Sequence, residues 1–200
     1  SSTRVARKMK DCVWVLGASV DHVDALTGEI PGDVHVWTCH VPVSGRASAM
    51  LAALEAAGDG ALRAPLPGTG ASFGDALTAC LAGGATPVAP PATKGAFAEL
   101  GDEHRRAGDG PGAAWAAAQR RLNARFDEVC GDSFCEGDYP DVAGLGLSCA
   151  VDRASDRVAT CTWSFASADT AVDTRGHLSA GPKTARCTVA VDADRDRAGE

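Results

Sequence analysis

Two periodicities alternate along the chain. Residues 11–21, Asp-Cys-Val-Trp-Val-Leu-Gly-Ala-Ser-Val-Asp, and 34–43, Val-His-Val-Trp-Thr-Cys-His-Val-Pro-Val, are rich in β-branched and aromatic residues. They predict paired strands, broken by Thr27-Gly28 and Pro31-Gly32-Asp33. Residues 47–57 predict a helix, with Ser44 or Ser48 as its cap and Gly58 past its end. Residues 62–69 are proline-marked and extended, and 72–81 predict a second helix closed by Gly83-Gly84. Trp115, Ala118, Leu122, Phe126 and Val129 recur every three or four residues and predict a long helix over 113–129. Three strands follow at 145–151, 157–166 and 184–191, with turns at 152–156 and 173–176. A helix before an antiparallel meander predicts an α+β fold, in which an antiparallel sheet packs against one long helix and shorter ones. The pattern divides as 1–84 (hairpin plus two helices), 85–112 (a Pro/Gly/charged linker with a short helix near Phe97) and 113–200 (helix plus meander); the two halves are also compatible with one domain.

The halves share landmarks. Cys12-Val-Trp14 matches Cys161-Thr-Trp163; Val23-Asp24 matches Val172-Asp173; Gly28 matches Gly176; Cys39 matches Cys187. The order and spacing predict an internal repeat of a Cys-x-Trp hairpin. Opposed residues of a hairpin share one centre, so Cys12 with Cys39 and Trp14 with Trp37 require the same turn. Cys161 has two prospective partners: Cys149 across the 152–156 turn, or Cys187 across the 173–176 turn. The repeat favours Cys187, mirroring Cys12–Cys39, although Pro31-Gly32 is able to shift the first register and spoil that pairing. Trp14, Leu16, Trp163 and Phe165 share faces with strand cysteines and are expected in the core.

Composition narrows the function class. Eight cysteines in 200 residues (Cys12, Cys39, Cys80, Cys130, Cys135, Cys149, Cys161 and Cys187) contain no CxxC pair. That favours disulfides over metal or thioredoxin-type chemistry, and a secreted or periplasmic compartment. No signal peptide is visible, as expected of a mature chain. A net charge of −7 argues against nucleic-acid binding. No apolar run reaches the ~20 residues of a membrane span. The remaining partner class is a protein or the cell envelope.

The run Phe126-Asp-Glu-Val-Cys130-Gly-Asp-Ser-Phe-Cys135-Glu-Gly-Asp-Tyr139, followed by Leu147-Ser-Cys149-Ala-Val-Asp and Cys161-Thr-Trp-Ser-Phe-Ala-Ser, resembles an exported bacterial family of unknown function. The resemblance implies that a segment like Ala64-Pro-Leu-Pro-Gly-Thr with Phe73-Gly-Asp-Ala-Leu and Cys80-Leu follows the tryptophan strand. Here that segment lies in the first half. The resemblance implies no activity.

Two motifs invite chemistry. Asp127, Glu128, Asp132, Glu136, Asp138 and Asp141 cluster around Gly131 and Gly137. Such a loop has the oxygen donors a calcium ion wants, but not EF-hand spacing, and an acidic turn tied by Cys130–Cys135 is the plainer account. Gly70-Ala-Ser72-Phe-Gly74 matches the G-x-S-x-G nucleophile elbow. The segment before it is a poor central strand, and Ser72 with Asp75 matches a helix capping box instead. Of the five histidines, His35 and His40 fall on opposite strand faces, and His22, His104 and His177 lie far apart in sequence. No cofactor motif occurs. The expected function is that of an exported, non-catalytic binding or envelope-associated protein. The alternatives are a serine hydrolase using Ser72 and a calcium-dependent module using the 127–141 loop.

Overall fold

The computed structural model describes residues 8–84, 94–107, 111–129 and 142–195. The fold is α+β, with six strands, four α-helices and a 3-10 turn among the described residues. In order these are β1 (Met9–Asp21), β2 (Gly32–Gly45), α1 (Ala47–Ala57), the 3-10 turn (Gly58–Arg63), α2 (Phe73–Ala82), β3 (Phe97–Glu99), α3 (Leu100–Ala107), α4 (Pro111–Val129), β4 (Ala143–Asp152), β5 (Arg157–Val172) and β6 (Leu178–Asp194). β1 and β2 form a two-stranded sheet, and β3-β4-β5-β6 form a four-stranded sheet in that order. The chain divides into two compact units, each drawn from separated segments. One comprises Ser1–Leu16, Trp37–Thr86 and Thr170–Gly181; the other comprises Gly17–Val36, Pro87–Asp169 and Pro182–Glu200.

In the first unit, alternation along β2 sends Cys39, Val41 and Val43 inward and leaves their neighbours exposed. These three are 0–3% exposed. Val41 and Val43 pack with Leu66 under Met50 and Leu54 of α1 and Phe73 and Ala76 of α2, with Met9 and Cys12 of β1 alongside. The helix α1 has the expected bounds and ends at Gly58, whose positive φ of 50° a side chain would resist. Its cap differs from expectation. Arg46 is the N-cap and makes no side-chain cap bond. Ser44 is still part of β2 and donates its N–H to the Pro67 carbonyl, whereas Ser48 already lies inside the helix. The stretch read as extended begins as the 3-10 turn, after which Pro65 bridges to Ser72.

In the second unit, α3 and α4 cover one face of the four-stranded sheet. Leu100, Trp115 and Ala118 bury Cys149, Val151 and Val158, with Leu147, Cys161 and Val191 packed against them. On the other face lie Gly17, Ser19 and Asp21 of β1. A Cβ at Gly17 would sit 2.9 Å from Ala166 Cβ, and one at Gly146 would sit 2.7 Å from Ser19 Oγ, so both approaches require glycine. Asp21, its side chain only 3% exposed, receives Arg186 Nη2 at 2.7 Å. Ser164 Oγ donates to the same carboxylate, and Arg186 also reaches the Ile30 carbonyl. A buried charge is thereby paired and hydrogen-bonded.

Two expectations about this unit are revised. Residues 97–107, inside the stretch read as linker, form β3 and α3, with the helix starting at Leu100 rather than at Phe97. On β5 the buried residues are Val158, Thr162, Ser164, Ala166, Ser167 and Ala168. Trp163 and Phe165 face the opposite way from Thr162, Ser164 and Ala166 and are half-buried, stacked with Phe126 at ring-centroid distances of 5.4 and 4.8 Å. Trp14 and Leu16, in the first unit, are likewise half-buried; Trp14 meets Phe73 edge-on at 5.7 Å.

Candidate functional site

The cysteines decide much of the local architecture. Cys39 bonds Cys80, fastening α2 to β2, and Cys149 bonds Cys161 across β4 and β5. Cys12 and Cys187 are free thiols. The predicted Cys12–Cys39 and Cys161–Cys187 pairs are therefore not formed. The reason is register. His22 N donates to the Pro31 carbonyl and Asp24 N to the Glu29 carbonyl, which centres the first turn between Leu26 and Thr27. The predicted bond needed a centre one residue earlier. Asp173 N donates to the His177 carbonyl, and Thr162 Oγ1 meets Thr188 Oγ1; both pairs centre the last hairpin on Arg175, one residue past the centre required. A one-residue shift of centre moves opposed positions by two, which keeps each cysteine on its face and removes its partner. The alternative partner, Cys149, stands directly opposite Cys161.

Both turns have the same chemistry. Asp24 Oδ1 accepts from the N–H groups of Leu26 and Thr27, and Asp173 Oδ1 accepts from those of Arg175 and His177. These bonds hold both carboxyls below their ordinary range, the Thr27 amide contributing most for Asp24 and the His177 amide for Asp173. Gly28 and Gly176 then take φ of 74° and 84°, the left-handed region that glycine enters without strain.

Ser72 is the N-cap of α2. Its Oγ accepts from Asp75 N (3.2 Å) and donates to Asp75 Oδ2 (2.8 Å), while its own N–H donates to the same carboxylate (2.9 Å). This is a complete capping box, and the bonds from Ser72 lower the Asp75 pKa. Ser72 is 6% exposed, and its hydroxyl is committed to Asp75 rather than to a histidine. His40 pairs with Asp11 at 2.6 Å and His177 with Asp173 at 3.0 Å, both at the surface. His104 is buried in α3. Asp132, Glu136, Asp138 and Asp141, with Cys130 and Cys135, lie outside the described residues. Glu128 is exposed at the end of α4. Among the described residues no three His, Cys, Asp or Glu side chains gather as a metal site.

A concavity in the second unit has a volume of about 670 Å³, within the usual ligand range. Its walls are the end of β1 with His22 and Asp24, the strand-to-helix junction from Phe97 to Arg106, and α4 through Trp115 and Gln119; Leu147 and Ser148 of β4 lie at its floor. Among the described residues, β3 pairs with β4 at Ala150–Asp152, and no strand pairs with that edge of β4 at Leu147 and Ser148. Gln119 Nε2 donates to the Leu147 carbonyl there (2.7 Å) and satisfies one edge acceptor.

The arginines that line the cleft are paired with carboxylates of α3. Arg105 pairs with Asp102, while Arg106 and Arg153 converge on Glu103, each at 2.8 Å. Glu99 accepts from Asp102 N at the start of α3 (2.8 Å). Burial raises its carboxyl pKa above the ordinary value of 4.5, although the Gly101 and Asp102 amides oppose the shift. Asp24, Phe97 and Trp115 were singled out from the sequence for the repeat and the helices, and His22 among the histidines, but none as part of a cleft. The spacing of Leu100 and His104, both buried and four apart, was the available sign that the charged run is a helix with an inner face. No family model, curated protein or solved structure matches the chain.

Proposed function

We propose that this chain is an exported, disulfide-stabilised binding protein that takes an uncharged polar ligand in the cleft between α3 and α4. The observation that carries the reading is the internal pairing of Arg105, Arg106 and Arg153. A charged ligand would have to compete with the partner each of them already has. A neutral ligand meets hydrogen-bonding groups from Gln119, Ser148 and His22 beside the apolar surfaces of Phe97 and Trp115. Export is supported by the two disulfides. A binding role is favoured over hydrolysis at Ser72 because the hydroxyl already serves the capping box.

A screen of neutral saccharides and uncharged peptides against phosphates and carboxylates, read by thermal shift, tests the cleft. Neutral compounds are expected to raise the melting temperature, by mass action on the folded state. Gln119→Ala with His22→Ala should weaken that effect. An unchanged effect in the double variant, or a response to the anions alone, overturns the reading. Fractionation of the cells that naturally make the protein tests export, and retention with free Cys39 and Cys149 thiols would contradict it.

A further inference from the structure

The outer edge of β4 holds room for a further strand. β3 takes that edge at residues 150–152, antiparallel, and its ladder ends at Glu99, where α3 begins. Beyond Glu99 the same line along β4 passes Ser148, Leu147, Gly146 and Leu145, with which no described strand pairs on that side. A second concavity, of about 450 Å³, lies there. Its walls are Ser19, Val20 and Asp21 of β1 and Gln119 and Asn123 of α4, and its floor is residues 145–148. β1 lies on one face of the sheet and α4 on the other, and β5 lends the concavity no wall. It is therefore a slot in the plane of the sheet. It shares Asp21, Gln119, Leu147 and Ser148 with the larger cleft, which carries it up to β3. The backbone presents bonding groups to this slot. Cys149 and Cys161 stand opposite at a Cα separation of 4.1 Å, the close spacing of a pair that exchanges no backbone bonds. The N–H and C=O of Cys149, and of Leu147 two residues away, thus point away from β5. The bond from Gln119 Nε2 to the Leu147 carbonyl, at 2.7 Å, agrees with that direction. It uses one donor of the Gln119 amide, which has a second N–H and a carbonyl oxygen besides.

We propose that the slot takes an extended, uncharged peptide segment as an added strand on β4, in line with β3; this rests on the reading of the cleft as a site for a neutral polar ligand. Three features select that occupant. A strand edge with its N–H and C=O groups turned outward is matched by another extended backbone, which bonds it through the main chain. β3 uses this mode on the same edge of the same strand. The side chains around the slot are neutral hydrogen-bonding groups (Ser19, Gln119, Asn123 and Ser148), and the Asp21 carboxylate is committed to Arg186. Leu147 N–H meets a peptide carbonyl, and the Gln119 amide meets the next peptide group. A saccharide reaches the same side chains but cannot continue the ladder.

The test uses the full chain with a pool of acetylated, amidated hexapeptides made from Ser, Thr, Gln, Val and Leu, beside a set of neutral saccharides. Thermal shift selects the tightest-binding peptide, and titration gives its Kd. Two N-methylated versions of that peptide follow, one blocked at the odd amides and one at the even amides. An added strand bonds its neighbour through one edge only. One version is therefore expected to bind roughly a hundredfold more weakly, since it forfeits two or more backbone bonds, and the other to stay within about threefold of the parent. Amide exchange at Leu147, followed by nuclear magnetic resonance, should slow in the parent complex. Equal losses for the two versions, or an unchanged Leu147 exchange rate, overturn strand addition. Saccharides that raise the melting temperature where no peptide does overturn the peptide proposal and leave the cleft reading intact. A response to neither overturns both.

Discussion

Removing the Cys39–Cys80 bond tests the first unit most sharply. The bond closes a loop over a sequence separation of 41, and chain entropy gives such a loop ~4 kcal/mol of stabilisation. The Cys149–Cys161 loop has a separation of 12, for which the same relation gives ~3 kcal/mol. The first loss should be the more visible because neither α1 nor α2 has a buried residue of its own; the two helices rest on half-buried contacts and this tether. Cys39→Ala with Cys80→Ala should therefore cost ~4 kcal/mol in urea unfolding without reductant, followed by far-ultraviolet circular dichroism. Each single substitution should cost nearly as much as the double, since either one breaks the same bond. Cys12→Ala, at a half-buried free thiol, should cost no more than ~1 kcal/mol. The reasoning is refuted if Cys12→Ala destabilises as much as the Cys39 and Cys80 pair, or if adding reductant to the wild type has no effect.

Three further outcomes follow from particular contacts. Asp21→Ala should lose ~3 kcal/mol by leaving Arg186 without its buried partner, and Asp21→Ala with Arg186→Met should lose less than the two singles combined; strict additivity in a double-mutant cycle would contradict the pairing. Ser72→Ala should cost ~1 kcal/mol and largely occlude the effect of Asp75→Ala, whereas stoichiometric labelling of Ser72 by a serine-directed phosphonate would contradict its role as a cap. Glu99→Gln should alter the pH dependence. The folded pKa of Glu99 lies above its ordinary value of 4.5, so the stability this group contributes is complete below that value and is lost as pH rises through the folded pKa. The variant should thus be more stable than wild type at neutral pH, with its advantage fading below about pH 4.5; a difference that is constant with pH would contradict the burial argument.

Local chemistry was legible where a few neighbouring residues decide the outcome. The α1 bounds followed from composition and Gly58, and the Ser72–Asp75 capping box from a spacing of three. The β4–β5 register followed from the turn at 152–156, which brings Cys149 opposite Cys161. Disulfide partners in the two longer hairpins were not legible, because a shift of one residue in the turn centre displaces Cys12 and Cys187 by two positions without changing their faces. The aromatic residues misled for a related reason. Period-two alternation says that Trp163 and Thr162 face opposite ways but not which face is dry; here Thr162 and Ser164 are buried and Trp163 is partly open. The cleft was invisible since its walls come from four separated stretches. One of them, 97–107, has a charge content that conceals the inner positions Leu100 and His104.

The central claim is the pairing of the cysteines, on which the proposed export rests. The most direct measurement is a disulfide map of the natively isolated protein, alkylated with N-ethylmaleimide before digestion and analysed without reduction. The account predicts Cys39–Cys80 and Cys149–Cys161 linked peptides. It also predicts rapid alkylation of the exposed Cys187 and slower alkylation of Cys12, whose thiol pKa is raised by burial and by the neighbouring Asp11 carboxylate. Recovery of Cys12–Cys39 or Cys161–Cys187 peptides as the main species would contradict it.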